Sequence, residues 1–297
     1  MDVFQTALNA VLPTFALIGL GALADRYGPV KLETLSWLSV YLLIPALIVN
    51  ALLDTNIALT GALLLTGAYL LYLLISAGIA YLGSSGLTAA ERRGVLVTTL
   101  FGNTGNMGLP ITLFAFGQAG LERAVILLIV SLALMFSFGP SLLSGQGDGL
   151  KKRFLATLKL PPIWATAAGI GLNGFNLPLS LERAVSLLAG AAIPILLISL
   201  GVQMHRSWTW RLGGPAVRSA VYRLLLGPFI ALGVARLVGL EKLDGAVLIL
   251  SAAMPAAVTM FVLAVEVKGD YVGVGRSVVL QTLGSLAAIT AVLLILI

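Results

Sequence analysis

The sequence predicts an all-α polytopic membrane protein: ten transmembrane helices in two inverted five-helix repeats, with helices four and nine broken. Three observations carry that fold class. Hydrophobic residues make up 59% of the 297 and charged residues only 10%, against roughly 25% charged in a soluble domain. Apolar runs of about 20 residues, the length that crosses a bilayer as a helix, recur along the whole chain. Short segments of the first half return in the second at a nearly constant shift. The alternating segments of about 10 residues that a membrane β-barrel needs are absent.

The spans are expected near 6–24, 37–54, 60–82, 93–117, 122–143, 160–176, 184–204, 217–237, 245–266 and 272–296. The opening MDVFQTALNA lacks the basic segment of a cleaved signal peptide, so the first span is read as permanent. Cysteine is absent, which excludes disulfides. The longest connection, GQGDGLKKRFLATLK at 145–159, divides the chain into halves 1–150 and 151–297.

Lys and Arg sort by alternate connections. One set holds thirteen: Arg26, Lys31, Arg92, Arg93, Lys151, Lys152, Arg153, Lys159, Arg206, Arg211, Arg218, Lys268 and Arg276. The other holds four: Arg123, Arg183, Arg236 and Lys242. The positive-inside rule then puts the first set in the cytoplasm of a multi-pass plasma (inner) membrane protein, with both termini outside. The net charge of +6 is topological, and no basic patch with interleaved aromatics speaks for nucleic acid.

The repeat signal comes from four pairs of segments. Leu12-Pro13 and Gly19-Leu20-Gly21 return as Leu160-Pro161 and Gly169-Ile170-Gly171. Ile44-Pro45-Ala46-Leu47-Ile48 returns as Ile193-Pro194-Ile195-Leu196-Leu197, and Gly94-Val95-Leu96-Val97 as Gly245-Ala246-Val247-Leu248. Five spans per half is an odd number, so the second half enters the membrane upside down, as in secondary transporters.

Within span four, FGNTGNMGLPIT at 101–112 crowds poor helix formers and amides into an apolar run. Within span nine, Pro255 interrupts SAAMPAAVTM at the matching place in the repeat. A proline removes one backbone donor and strands a carbonyl a turn earlier, and hydrocarbon offers no replacement. Paired breaks of this kind mark a binding site. Half-helix N-termini there would favour an anion, with Asn103 and Asn106 adding side-chain hydrogen bonds. The competing reading is close packing, because Gly102, Gly105 and Gly108 recur every third residue. Pro45 and Pro194 lack clustered polar neighbours and read as simple kinks; Asn50, one turn past Pro45, faces either the site or its own kinked backbone.

Together VLPTFALIGLGALADRYG, LSWLSVYLLIPALIVNALL, FGNTGNMGLPI and SAAMPAAVTMFVLAVEVKG give the chain its likeness to a known family. Over nearly its whole length it resembles the auxin efflux carrier family in its bacterial form. The resemblance implies a fold related to the bile acid sodium symporters, with helices four and nine crossing at prolines. It implies a scaffold of spans 1, 2, 6 and 7, a mobile transport unit of spans 3–5 and 8–10 working as an elevator, and a homodimer through the scaffold. Family substrates are organic anions: indole acetate in plants, malate or malonate for bacterial members. Carried over, the substrate site is Asn103, Thr104, Gly105, Asn106, Pro110, Met254, Pro255 and Thr259, with Asn50 beside it. The long central loop of the plant proteins shrinks here to 144–159.

The expected function is thus export of a small organic carboxylate, with no cofactor required. The alternative is a sodium-coupled symporter of bile-acid or pantoate type. Sodium would bind break carbonyls with Thr104, Asn106, Ser251, Thr259 or Gln281. A proton carrier is not evident: the acidic residues lie at or near span ends, Glu266 closest to being inside. His205, Gln203, Gln281 and Arg223 read as span-end residues, Arg223 snorkelling to headgroups or meeting an incoming carboxylate. An intramembrane enzyme would need a nucleophile with a base, or a metal cluster, and neither pattern is present.

Overall fold

The computed structural model describes residues 3–296 apart from 29, 54, 56, 146–154, 156–157, 176 and 208–212. Lys151, Lys152, Arg153 and Arg211 of the orientation argument lie outside the described residues. The helices are α1 (Val3–Tyr27), α2 (Leu32–Leu53), α3 (Leu59–Leu82), α4 (Ala89–Leu100) and α5 (Thr104–Ser144). They continue as α6 (Pro161–Gly171), α7 (Leu179–Ser207), α8 (Gly214–Val238), α9 (Lys242–Ala252), α10 (Val258–Glu266) and α11 (Tyr271–Leu296). Among the described residues the only extended pairing is one isolated antiparallel bridge. The protein is an all-helical polytopic membrane protein.

Seven helices are long and apolar enough to cross a membrane among the described residues: α1, α2, α3, α5, α7, α8 and α11. The ten expected spans map differently onto these helices. The expected spans four and nine are each in two pieces, α4 with the start of α5, and α9 with α10. The second piece of span four runs on into span five, bent at Gly117, whose φ of 65° and ψ of −161° suit a residue without Cβ. Expected span six shortens to the 11 residues of α6.

Three helices carry a π turn, and each ends two residues before a proline. Ser39–Leu43 precedes Pro45, Thr104–Gly108 precedes Pro110, and Val221–Leu226 precedes Pro228. A proline ring collides with the carbonyl four residues back. Widening the preceding turn by one residue relieves this: the Ile44 and Leu109 amides bond five residues back, to the Ser39 and Thr104 carbonyls. Pro194 shows no such turn inside α7, although its repeat partner Pro45 does.

Small residues set the closest helix contact. At the crossing of α1 and α7 a Cβ on Gly21 would strike the Ile198 backbone, and one on Gly201 the Ile18 carbonyl. With no net hydrophobic drive between helices in lipid, such backbone approach gains dispersion. Helix α2 packs on α6 and α7, and the Asn173 side chain just past α6 donates to the carbonyls of Leu52, Leu53 and Thr55 at 2.8, 3.0 and 3.1 Å.

Candidate functional site

The two breaks meet. Between α4 and α5 the chain is extended, and so it is between α9 and α10; Gly102 and Ala256 face each other as an antiparallel bridge. The Asn103 amide donates to the Pro255 carbonyl at 2.7 Å, and the Ala257 amide to the Phe101 carbonyl at 2.9 Å. Two rungs of ladder thus satisfy backbone groups that neither helix can satisfy alone, as a membrane interior requires. Helix α4 spans about 18 Å at 1.5 Å per residue, so the crossing lies near mid-depth of a bilayer core of about 30 Å.

The crossing has two chemically different faces. On one face lie the carbonyl ends of α4 and α9. A helix leaves its last four carbonyls without intrahelical partners, and every one of α4's is taken. The Val97 carbonyl accepts from the Phe101 amide, that of Thr98 from Gln281 Nε2, and those of Thr99 and Leu100 from Arg223 Nη1 at 3.0 and 3.1 Å. Arg223 Nε also donates to the Met254 carbonyl at 2.8 Å, and its Nη2 to that of Ser251 at 3.1 Å. Tyr72 Oη accepts from Nη1 at 3.3 Å.

Arg223 is fully buried, in the π turn of α8. It is not the snorkelling residue its position suggested: the widened turn ahead of Pro228 carries it inward onto the crossing, and its head cannot reach a membrane surface. Gly102 fits this arrangement, since a Cβ there would run into the guanidinium. Gln281 was also expected near a span end with water. It is fully buried instead. Its Oε1 accepts from the Ala256 amide at 2.8 Å, and its Nε2 donates to the Thr98 carbonyl at 3.3 Å and Ser219 Oγ at 3.0 Å.

On the other face the helices begin. The N-termini of α5, at Thr104, and α10, at Val258, both border a cavity of about 270 Å³. First-turn amides have no partner further back in their own helix and form the positive end of the helix dipole; in α5 the Thr104 amide donates to the Gly102 carbonyl at 2.8 Å and the Met107 amide to the Asn103 carbonyl at 3.3 Å. Asn103 caps α5, its Oδ1 accepting from the Asn106 amide at 3.2 Å. Its Nδ2 is buried without a partner among the described residues, and so are Ser39 Oγ and Ser199 Oγ, from residues on the opposite wall. Thr104, Gly105, Asn106 and Thr259 line the cavity, with Ser131 and Gln203. Among the described residues no charged side chain lines it.

Of the expected site residues, the structure therefore gathers Asn103, Thr104, Gly105, Asn106 and Thr259 around one space. Met254 and Pro255 are buried within the crossing, and Pro110 is buried one turn into α5. Asn50 is half-buried on α2 and is not among the lining residues. Ser251 contributes its carbonyl to Arg223. The sequence reading missed Ser39, Ser199 and Ser131, since single serines on helices carry no pattern. His205 lies at the end of α7, exposed, 3.0 Å from Asp25, which also binds Arg206. Glu266 is exposed. Among the described residues no cluster of His, Cys, Asp or Glu could hold a metal ion.

A helical membrane protein whose two broken helices cross face to face, with a polar cavity at the break, has the build of a secondary carrier. A family model described as "Membrane transport protein" matches residues 6–157 and 149–293, and the chain belongs to that family, the auxin efflux carriers. It is 28% identical over 300 residues to a protein of Methanothermobacter thermautotrophicus named "Uncharacterized transporter", covering 97% of both chains. It is 28% identical over 303 residues to a protein of Rhizobium meliloti named "Putative malonate transporter", covering 95% of this chain and 93% of the other.

Proposed function

We propose that this membrane transporter exports a small organic carboxylate, bound at the crossing by the first-turn amides of α5 and α10 and the side chains of Asn103 and Asn106. One observation carries the reading. The four terminal carbonyls of α4 are all hydrogen-bonded, while the amide ends of α5 and α10 share a cavity with Asn103 Nδ2, which has no partner among the described residues. A buried donor without a partner costs about 1–3 kcal/mol, which an anionic ligand would return. The cavity volume of about 270 Å³ lies below the roughly 300–1,000 Å³ typical of drug-sized ligands. That favours a small mono- or dicarboxylate over an indole acid, in keeping with the name of the Rhizobium relative.

In this reading α1, α2, α6 and α7 are the scaffold, and α3–α5 with α8–α11 the transport unit that slides past it. In this reading the chain crosses the plasma membrane ten times as two inverted repeats, spans four and nine in two pieces, with both termini outside and scaffolds paired in a homodimer. Ser36, Gln203 and Pro162 place the cavity toward the end that carries Arg26, Arg93 and Arg206, the cytoplasmic end by the positive-inside rule. With that orientation the conformation would be one open inward, ready to load. An inside-negative potential drives anion exit by about 2.3 kcal/mol per charge per 100 mV, so export needs no partner ion.

The test is charge movement in proteoliposomes on a solid-supported membrane, with concentration jumps of malonate, malate and indole acetate. Currents for the small dicarboxylates that reverse with the gradient support the reading. Silence for all three carboxylates refutes it.

A further inference from the structure

The oxygen atoms around Arg223 form a cage. Four backbone carbonyls and the Tyr72 hydroxyl, from α3, α4, α9 and the break after α9, converge on one guanidinium at 2.8–3.3 Å. Unwound carbonyls and half-helix C-terminal ends are the groups with which carriers of this build hold a coupling sodium ion. One of the residues expected to hold sodium serves this cage, the Ser251 carbonyl, and another, Gln281, has both polar atoms committed elsewhere in the crossing, to the Ala256 amide, the Thr98 carbonyl and Ser219 Oγ. The site does not fit a sodium ion, because it is already filled by a cation. Among the described residues no carboxylate pairs with Arg223, so its charge is offset only by the carbonyl dipoles.

We infer that Arg223 is a built-in cation, standing in an oxygen cage that would otherwise take a monovalent ion, and that the protein therefore works without sodium. The guanidinium is tethered to α8. It can hold the two half-helices together through the whole transport cycle, where a bound ion would have to be loaded and released. Gly102 keeps the space for it, since any Cβ there would displace the guanidinium. Removing the side chain leaves the oxygens in place and the cation missing, so small cations should restore what the mutation takes away. The transport consequence rests on the carrier reading above; the cage itself does not.

The experiment compares thermal unfolding of purified wild type, Arg223→Ala and Arg223→Gln in sodium, guanidinium and choline chloride at equal ionic strength, guanidinium in the millimolar range. Wild type should melt at one temperature in all three. Both variants should melt lower in choline and recover with sodium or guanidinium. Arg223→Gln keeps an amide donor and serves if the alanine variant does not fold. A sodium-specific rise in wild-type stability would overturn the inference, as would variants indifferent to both cations. In proteoliposomes, wild-type malonate flux should be equal in sodium and choline. Variant flux in choline should fall by about tenfold or more, the cost of stranded carbonyls, and return with sodium. Wild type without malonate flux would count against the carrier reading, and the unfolding comparison would still decide the cage.

Discussion

The two faces of the crossing are built from the same parts and finished in opposite ways. Each is a pair of helix ends at mid-depth, drawn from the same two breaks. On the carbonyl face the protein supplies its own partners: Arg223 bonds Thr99, Leu100, Ser251 and Met254, and Gln281 bonds Thr98. On the amide face it leaves Asn103 Nδ2, Ser39 Oγ and Ser199 Oγ without partners around open space. The bonded carbonyls make the first face a structural joint, with the Thr99 and Ser251 hydroxyls beside them lacking partners among the described residues. The open donors of the second are what the proposed anion would complete. Polarity alone does not distinguish a site from a scaffold in a membrane; the accounting of donors and acceptors does.

Changes on the carbonyl face should damage stability. After the Arg223 variants, the largest expected effect is from Gln281→Leu, which strands the Ala256 amide and the Thr98 carbonyl in the dry interior. At about 1–3 kcal/mol per stranded group, the detergent-solubilised protein should lose several degrees in its melting temperature. Gly102→Ala comes next, forcing a Cβ into the guanidinium of Arg223; overpacking of this kind costs about 1–3 kcal/mol. A melt of Gly102→Ala equal to wild type would mean that Arg223 can leave the crossing freely.

Changes on the amide face should damage binding and spare stability. Ser39→Ala combined with Ser199→Ala removes hydroxyls that have no hydrogen-bond partner among the described residues. The melting temperature should hold, while anion affinity drops by up to about tenfold, the worth of one or two hydrogen bonds. A double variant with wild-type affinity and a lowered melting temperature would reverse the assignment of that wall.

Much of this contrast was legible in the sequence. FGNTGNMGLP and the matching Pro255 announced two breaks, because glycine, asparagine and proline inside an apolar run have few other uses. Asn103, Thr104, Gly105, Asn106 and Thr259 do line one cavity. Arg223 and Gln281 were misread for a shared reason. Each was assigned to a span end, yet Arg223 is the tenth of the 25 residues of α8 and Gln281 the eleventh of the 26 of α11. At 1.5 Å per residue both lie about 15 Å into their helices, so counting along the helix already placed them near the level of the breaks. The count of long spans was likewise blurred by the breaks themselves, since α4, α9 and α10 are half-length pieces. Serines 39 and 199 acquire meaning only when α2 and α7 are brought opposite the crossing.

The central claim is that the amide face binds an anion through Asn103, and one substitution tests it most directly. Asn103→Asp keeps the size of the side chain and the oxygen that caps α5, but replaces the unpartnered donor with a negative charge. The measurement is charge displacement in proteoliposomes, using the carboxylate that gives wild type its largest current, alongside the thermal melt of both proteins. The account predicts a melting temperature close to wild type and an apparent affinity weakened by at least about tenfold, since two like charges in a low-dielectric cavity repel strongly. An Asn103→Asp protein that carries the anion with wild-type affinity would contradict it, and would move the binding site away from the crossing.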